Sequence, residues 1–327
     1  MHCELLVPGL FAAPGGARLP SLELLLARGR CTSAGAESLE DWLHDAFELG
    51  DASLAAGALT LLGANGEPGT RSWLRADPVH LRLMRDRLVL APAAALGIKP
   101  GDAQALCEAL NHHFASRMSV QVLDAQRWVA TMDADFTVDA QPPLALAGRD
   151  VAVALPTTTS ALLNEAQMVL HAHPINEARE VRGEPPVNSV WFWGAGRVPA
   201  VPTKRWHSVN ADDPLVLGLG RAAGIRHRTL GPSAEAWLER APEEGRHLVL
   251  LDALRTPFAL GQTGEYHEAL ARLERDWFAP LLDALRDGRI GMLTIHVPDA
   301  AESLAYETIR ADLRRFWRRP RSLEHYA

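Results

Sequence analysis

Two side chains stand out because they close predicted core strands. Asp252 follows the run His247–Leu251, and His296 lies near the end of Met292–Val297. Carboxylate and imidazole are the usual ligands of a hydrolytic metal, so the pair has the form of a remnant metal or phosphate site. The plainer reading is an aspartate that caps the next turn and a histidine bonded to backbone. It is favoured, because two ligands do not hold a catalytic metal. Asp212-Asp213 precede Pro214 and an apolar stretch to Ala223. A paired carboxylate can bind a cation, but an N-cap followed by a helix-initiating proline explains the pattern better. A further cluster, His171, His173, Asn176, Arg179 and Arg182, surrounds Pro174. Arg179 and Arg182 share a helical face. Arginine pairs and helix N-termini both suit phosphate. The same residues would also tie a helix–loop–strand corner together, and both readings stand.

Other motifs carry less. Gly194-Ala195-Gly196 allows close approach of backbone to a ligand, or simply a tight turn. It lacks the full GxGxxG pattern, and neither GxSxG nor a Walker A sequence occurs. Trp191 and Trp193 face one side of a strand and are expected in the core. His112-His113 would close a helix. Arg310, Arg314, Arg315, Arg318, Arg319 and Arg321 surround Phe316-Trp317. They are expected on a solvated final helix, with capture of an acidic partner as the alternative.

These residues need a scaffold, and short apolar runs alternate with amphipathic stretches, which predicts an α/β protein with a largely parallel sheet. Strands are predicted at Glu4–Val7, Val190–Trp193, His207–Asn210, His247–Leu251 and Met292–Val297. Helices are predicted at Ser21–Ala27, around Leu39–Leu49, and from Glu265 to Asp287. Parallel sheets bind ligands beyond the carboxyl ends of their strands, where Asp212, Asp213, Asp252 and His296 fall. Between Ser72 and Ala140 the character changes. A helix capped by Asp102 and running to Phe114 precedes two strands, Val120–Leu123 and Arg127–Met132. That order suits a small inserted α+β lobe.

The chain has 327 residues and a net charge of −7. The acidic balance argues against a duplex nucleic-acid binder. No apolar run reaches the roughly 18 residues of a membrane span. Three widely spaced cysteines, Cys3, Cys31 and Cys107, show neither zinc spacing nor a disulfide framework, so a cytoplasmic setting is expected.

Leu163–Leu170, then His173-Pro174-Ile175-Asn176-Glu177-Ala178-Arg179, Gly183, Pro185-Pro186-Val187-Asn188 and Gly194-Ala195-Gly196 form a specific series. It resembles the archaeal-type cofactor-independent phosphoglycerate mutases. Val190-Trp191-Phe192-Trp193-Gly194 is similar to the Leu-Trp-Leu-Trp-Gly of a bacterial RpfE-like regulatory offshoot. Pro20-Ser21-Leu22 resembles the family's Pro-Asn-Leu helix start. Thr256-Pro257-Phe258 and Leu270–Leu282 resemble the offshoot's C-terminal region.

The resemblance implies an alkaline-phosphatase-like fold: a largely parallel sheet flanked by helices over residues 1–75 and 151–327, with the inserted lobe at 76–150. It also implies a site with two divalent metals, Mn or Zn, and a Ser or Thr that carries the phosphoryl group. The first aspartate position of that site falls at Pro8, and its Asp-His pair reads Ile295-His296. Asp252 can stand for a later aspartate, but no Ala-Gly-His follows it. The only later histidine is His325. Ser38 is the one candidate nucleophile. Such a set lacks the negative charge that two dications need.

The resemblance therefore leads to a degenerate mutase-like protein without mutase activity and with no metal cofactor expected. Its role would be regulatory or phosphate-sensing. His173, Asn176, Arg179 and Arg182 would hold a small phosphorylated ligand, and Asp252, His296, Asp212 and Asp213 would be metal-site remnants. Two alternatives stay open: an active Mn- or Zn-dependent mutase or phosphomonoesterase with a rearranged site, and an interaction protein whose basic C-terminal helix takes a protein partner.

Overall fold

The structure, a computed structural model, describes residues 1–13, 15–132, 137–152, 154, 159–202, 204–241, 244–298 and 301–326. The chain divides into two compact units, Met1–Glu48 with Val201–Ala327, and Leu49–Ala200. The first unit opens with β1 (His2–Leu6), α1 (Pro20–Arg28), β2 (Arg30–Ala34) and α2 (Leu39–Ala46). Pro20 starts α1 in the first turn, where its missing N–H costs nothing, and Gly29 ends it. Leu22, Leu25 and Leu26 recur at helical spacing and are buried.

The second unit holds α3 (Ala56–Gly63), β3 (Trp73–Met84), β4 (Arg87–Pro92), α4 (Pro100–Phe114), β5 (Met118–Val122), β6 (Trp128–Met132), α5 (Ser160–His171), α6 (Pro174–Val181) and β7 (Ser189–Gly196). The chain then completes the first unit with β8 (Ser208–Asn210), α7 (Pro214–Ala222), β9 (Arg226–Arg228), α8 (Ala234–Leu238), β10 (Arg246–Leu250), α9 (Arg255–Ala259), α10 (Thr263–Leu273), α11 (Ala279–Asp287), β11 (Met292–Val297) and β12 (Ser303–Ile309). A π-helical turn, Glu274–Phe278, joins α10 to α11.

The first unit's seven-stranded sheet runs β2-β12-β11-β1-β10-β8-β9. Its strands are parallel except β12 and β2, which close one edge in antiparallel pairs. In register, Leu5 lies beside Ile295 and Val249. Strand residues alternate faces. Cys3, Leu5, Val7, Val249, Leu293 and Ile295 therefore point one way, into a core with leucines of α1, α10 and α11. His2, Glu4 and Leu6 point the other way, with Arg246, Thr294 and His296 beside them. Among the described residues, no helix is long and apolar enough to cross a membrane.

The second unit's sheet is antiparallel, with β4-β3-β6-β5 in order and β7 on the free side of β3. The sequence reading put β7 in the main sheet and ended the lobe at 150. Here β7 pairs with β3, which places residues 151–200 in the second unit. Trp191 and Trp193 are buried as expected. The Trp193 indole donates to Asp77 at 2.8 Å, and Asp77 is paired with Arg75 at 2.6 Å.

Two further expectations are corrected. Asp102 does not cap α4; Lys99 occupies that position, and Pro100 starts the helix. The basic tail is not a helix. Residues 310–321 hold only a 3-10 turn at Asp312–Arg314, with a second turn at Leu323–His325. Its arginines fold back instead. Arg315 donates to the Arg28 carbonyl at 3.1 Å and Arg318 to the Gly29 carbonyl at 2.8 Å. They supply donors and positive charge to the carbonyl end of α1.

Glycine sets how closely α3 approaches its sheet. A Cβ on Gly57 would lie 2.3 Å from the Leu74 Cα, and one on Gly194 (φ +59°) 2.5 Å from the Ala56 Cβ. Gly194-Ala195-Gly196, at the end of β7, thus packs against a helix. Since the wall at Gly57 is backbone and cannot rotate away, Gly57→Ala should lower stability by about 1–3 kcal/mol. An unchanged urea midpoint by circular dichroism would contradict this packing.

Candidate functional site

The central strand β1 carries a carboxylate where an apolar side chain is the rule. Glu4 has no exposed surface. Its Oε1 takes Arg246 Nε and Nη2, both at 2.6 Å. Its Oε2 meets Arg205 Nη2 and His296 Nε2, each at 3.4 Å. His2 Nδ1 is 3.8 Å from Oε1, and its Nε2 is 2.9 Å from the Thr294 hydroxyl.

Aromatic rings line this cluster. Trp42 of α2 lies 5.1 Å from the His296 ring, Trp206 packs on Trp42 and Phe47, and the Arg205 guanidinium lies 5.0 Å over Trp206. The buried atoms Arg205 Nε, Trp206 Nε1 and His296 Nε2 have no hydrogen-bond partner. His296 therefore faces Glu4 at close range without hydrogen-bond alignment.

Burial alone would push the Glu4 carboxyl up. The contacts from His296 and Arg246 and the charges of Arg205 and Arg246 outweigh it and hold the group at about 2. Burial also lowers the His2 imidazole, which Glu4 only partly offsets. The cluster can hold one buried carboxylate permanently ionised. Sequence reasoning missed it, because Glu4 sits inside an apolar run and its partners lie far along the chain. The one available signal was the charge itself, placed mid-strand.

The carboxylates of Asp212 and Asp213 serve backbone. Asp213 caps α7 and accepts the Leu215 N–H at 2.8 Å, and Asp212 accepts the Leu230 N–H at 3.0 Å. The Asp252 carbonyl accepts the Arg255 N–H at 3.1 Å as the chain turns into α9. Pro8 is buried and offers no ligand atom, while Ile295 points into the core. Ser38 forms a capping box on α2: its hydroxyl accepts the Asp41 N–H at 3.0 Å and donates to the Asp41 carboxylate at 2.7 Å. Among the described residues, no three His, Cys, Asp or Glu side chains are grouped to hold a metal ion. The donor set does not fit the pair of dications that the sequence resemblance implies.

The structure does bring His173, Asn176, Arg179 and Arg182 together, at the corner around α6. His173 caps the helix by accepting the Ile175 N–H at 3.2 Å. Asn176 is buried, donates to the carbonyls of Leu170 and Val187 and accepts the Val187 N–H, each at 2.8 Å. Arg179 is wholly buried and donates to the carbonyls of Pro185 and Leu96. Arg182 pairs with Glu184 at 2.9 Å. These contacts follow the corner-tying reading.

The depressed Glu4 group has a folded value below its unfolded one. Its stabilisation is therefore present above about pH 4.5 and is lost as pH falls toward 2. Glu4→Gln should cost about 3 kcal/mol at pH 7, and its difference from wild type should shrink across that window. Denaturant titrations at pH 7 and pH 3 check this; equal stability of the two proteins at pH 7 would remove Glu4 as the organising charge.

No family model matches the chain. A 2,3-bisphosphoglycerate-independent phosphoglycerate mutase from Methanosarcina acetivorans is 33% identical over 103 residues, covering 30% of this chain and 25% of that protein. The chain thus matches only about a quarter of that relative's length at this identity. The enzyme of the same name from Methanosarcina mazei is 24% identical over 340 aligned residues, covering 90% of this chain and 82% of the relative. Among solved structures, the PH0037 protein from Pyrococcus horikoshii superposes with a TM-score of 0.59 at 15% identity, over 94% of this chain and 87% of that one. The latter likeness concerns the fold alone. Along nine-tenths of its sequence this chain is similar to a cofactor-independent phosphoglycerate mutase, and its mostly parallel, helix-flanked sheet fits an alkaline-phosphatase-like α/β fold.

Proposed function

We propose that this chain is a degenerate phosphoglycerate-mutase-like protein that has left the mutase reaction and acts in the cytoplasm by binding, in a regulatory or ligand-sensing role. The observation that carries this reading is the use made of the strand ends. Proline and isoleucine stand where ligands are expected, and Asp212 and Asp213 are bonded to backbone amides. Two dications brought into such a place would meet too little negative charge. The Val190–Gly194 stretch supports a position beside the RpfE-like offshoot. The free thiols of Cys3, Cys31 and Cys107 suit a reducing compartment.

Protein purified in the presence of Mn²⁺ and Zn²⁺ is expected to hold no stoichiometric metal and to leave 2- and 3-phosphoglycerate unconverted. Two bound dications together with interconversion would overturn the proposal.

A second reading draws on the tail. Phe316 and Trp317 are 77% and 66% exposed and stack edge-to-face, 5.3 Å apart, within the arginine-rich segment. Exposed aromatics flanked by guanidinium groups suit an acidic protein partner. Arg315 and Arg318 are engaged on α1, so truncation would damage the fold as well as the surface. The double variant Phe316→Ser, Trp317→Ser should keep wild-type melting and lose partner capture in a comparative pull-down. Undiminished capture would count against this role.

A further inference from the structure

A second polar cluster of the first unit lies on the opposite, core-facing side of the sheet, at the edge formed by β8 and β9. Ser208 Oγ is 2.8 Å from His247 Nδ1, and His247 Nε2 is 3.0 Å from the Glu244 carbonyl. A carbonyl can only accept, so Nε2 carries the proton, Nδ1 is bare, and the serine hydroxyl donates to it. Burial, partly offset by the Glu244 carbonyl, lowers the His247 imidazole and keeps it neutral. Asn210 Nδ2 donates to Ser208 Oγ at 3.1 Å and to the Leu248 carbonyl at 3.3 Å. These bonds form a fixed, electrically neutral floor.

Above that floor is a shallow, open cleft, and Arg226, Arg228, Thr229 and Arg240 line it with Ser208 and Asn210. Arg226 lies beside Ser208 and Arg228 beside Asn210, so both arginines project from the same face as the floor. Arg240 reaches in from the end of α8 and commits only its Nε, to the Ala236 carbonyl at 2.9 Å. Among the described residues no acidic side chain lines the cleft, and none of the three guanidinium groups makes an ion pair. The whole chain has 40 acidic residues against 33 Lys and Arg. Three neighbouring cations without a carboxylate repel one another, and a bound anion would relieve that repulsion.

We infer that this cleft binds a small metabolite through a phosphoryl group. The planar guanidinium fork matches phosphate oxygens. Thr229 adds a hydroxyl at the rim. The cleft and the Glu4 cluster occupy opposite faces of the sheet, so the inference holds whether or not the mutase reaction survives.

Calorimetric titration of the full chain with inorganic phosphate, and separately with glycerol 2-phosphate, at low ionic strength is the test. Saturable binding is expected for the wild type. Arg226→Gln combined with Arg228→Gln should weaken it by about tenfold or more. Arg87→Gln, which removes an exposed charge on β4 in the other unit, should leave it unchanged. All these side chains are exposed, and matching melting curves will establish that the variants fold. Absence of saturable binding by the wild type, full binding by the double variant, or equal weakening by Arg87→Gln would each overturn the inference.

Discussion

A carboxylate in the middle of a parallel sheet has no water to solvate it, and transferring it there unpaired costs several kcal/mol. Glu4 occupies that position in β1, and the protein meets the constraint by drawing a cation or imidazole from each side. Arg246 comes from β10, His296 from β11, and Arg205 from the segment that enters β8. The arrangement also fixes register. A one-residue slip of β1 would turn Glu4 into the leucine-rich core and expose Cys3 and Leu5 to the charged face. The alignment of Leu5 with Ile295 and Val249 is therefore held from both faces at once, by apolar contact on one and by ion pairing on the other.

This cluster changes what the sheet offers to a ligand. In a phosphoryl-transfer site of the two-metal kind, acidic groups beyond the strand ends would be free to take dications. Here the acidic group of β1 is within the strand and neutralised by arginines. Asp212 and Asp213 beyond the strands are engaged by backbone amides. Glu4, Asp212 and Asp213 thus serve the fold itself. Among the described residues, guanidinium groups without an ion pair gather elsewhere, at the β8–β9 edge.

Local chemistry explains much of the remaining architecture. Pro20, Pro100, Pro174 and Pro214 each start a helix. Ser38 and Asp213 cap theirs, and Gly29 and Gly288 stop theirs. The tail arginines look, from composition, like a helix of their own. They instead complete α1, because unsatisfied carbonyls at a helix end attract donors regardless of where in the chain these originate.

The sequence by itself determined many of the elements and the class of fold. Apolar runs marked β1, β8, β10 and β11, caps and prolines marked the helices, and the motif from His173 to Gly196 carried the family likeness. It also determined that Pro8 and Ile295 cannot act as ligands. Only the tertiary structure decided pairing and partnership. β7 has the same apolar composition as a main-sheet strand, and nothing local distinguishes pairing with β3 from pairing with β8. Glu4 and Arg246 are 242 positions apart, and Ser208 and His247 are 39 apart. Local spacing rules relate residues a few positions apart, whereas ion pairs and clefts depend on which strands lie side by side. That choice is made by burial summed over the whole chain.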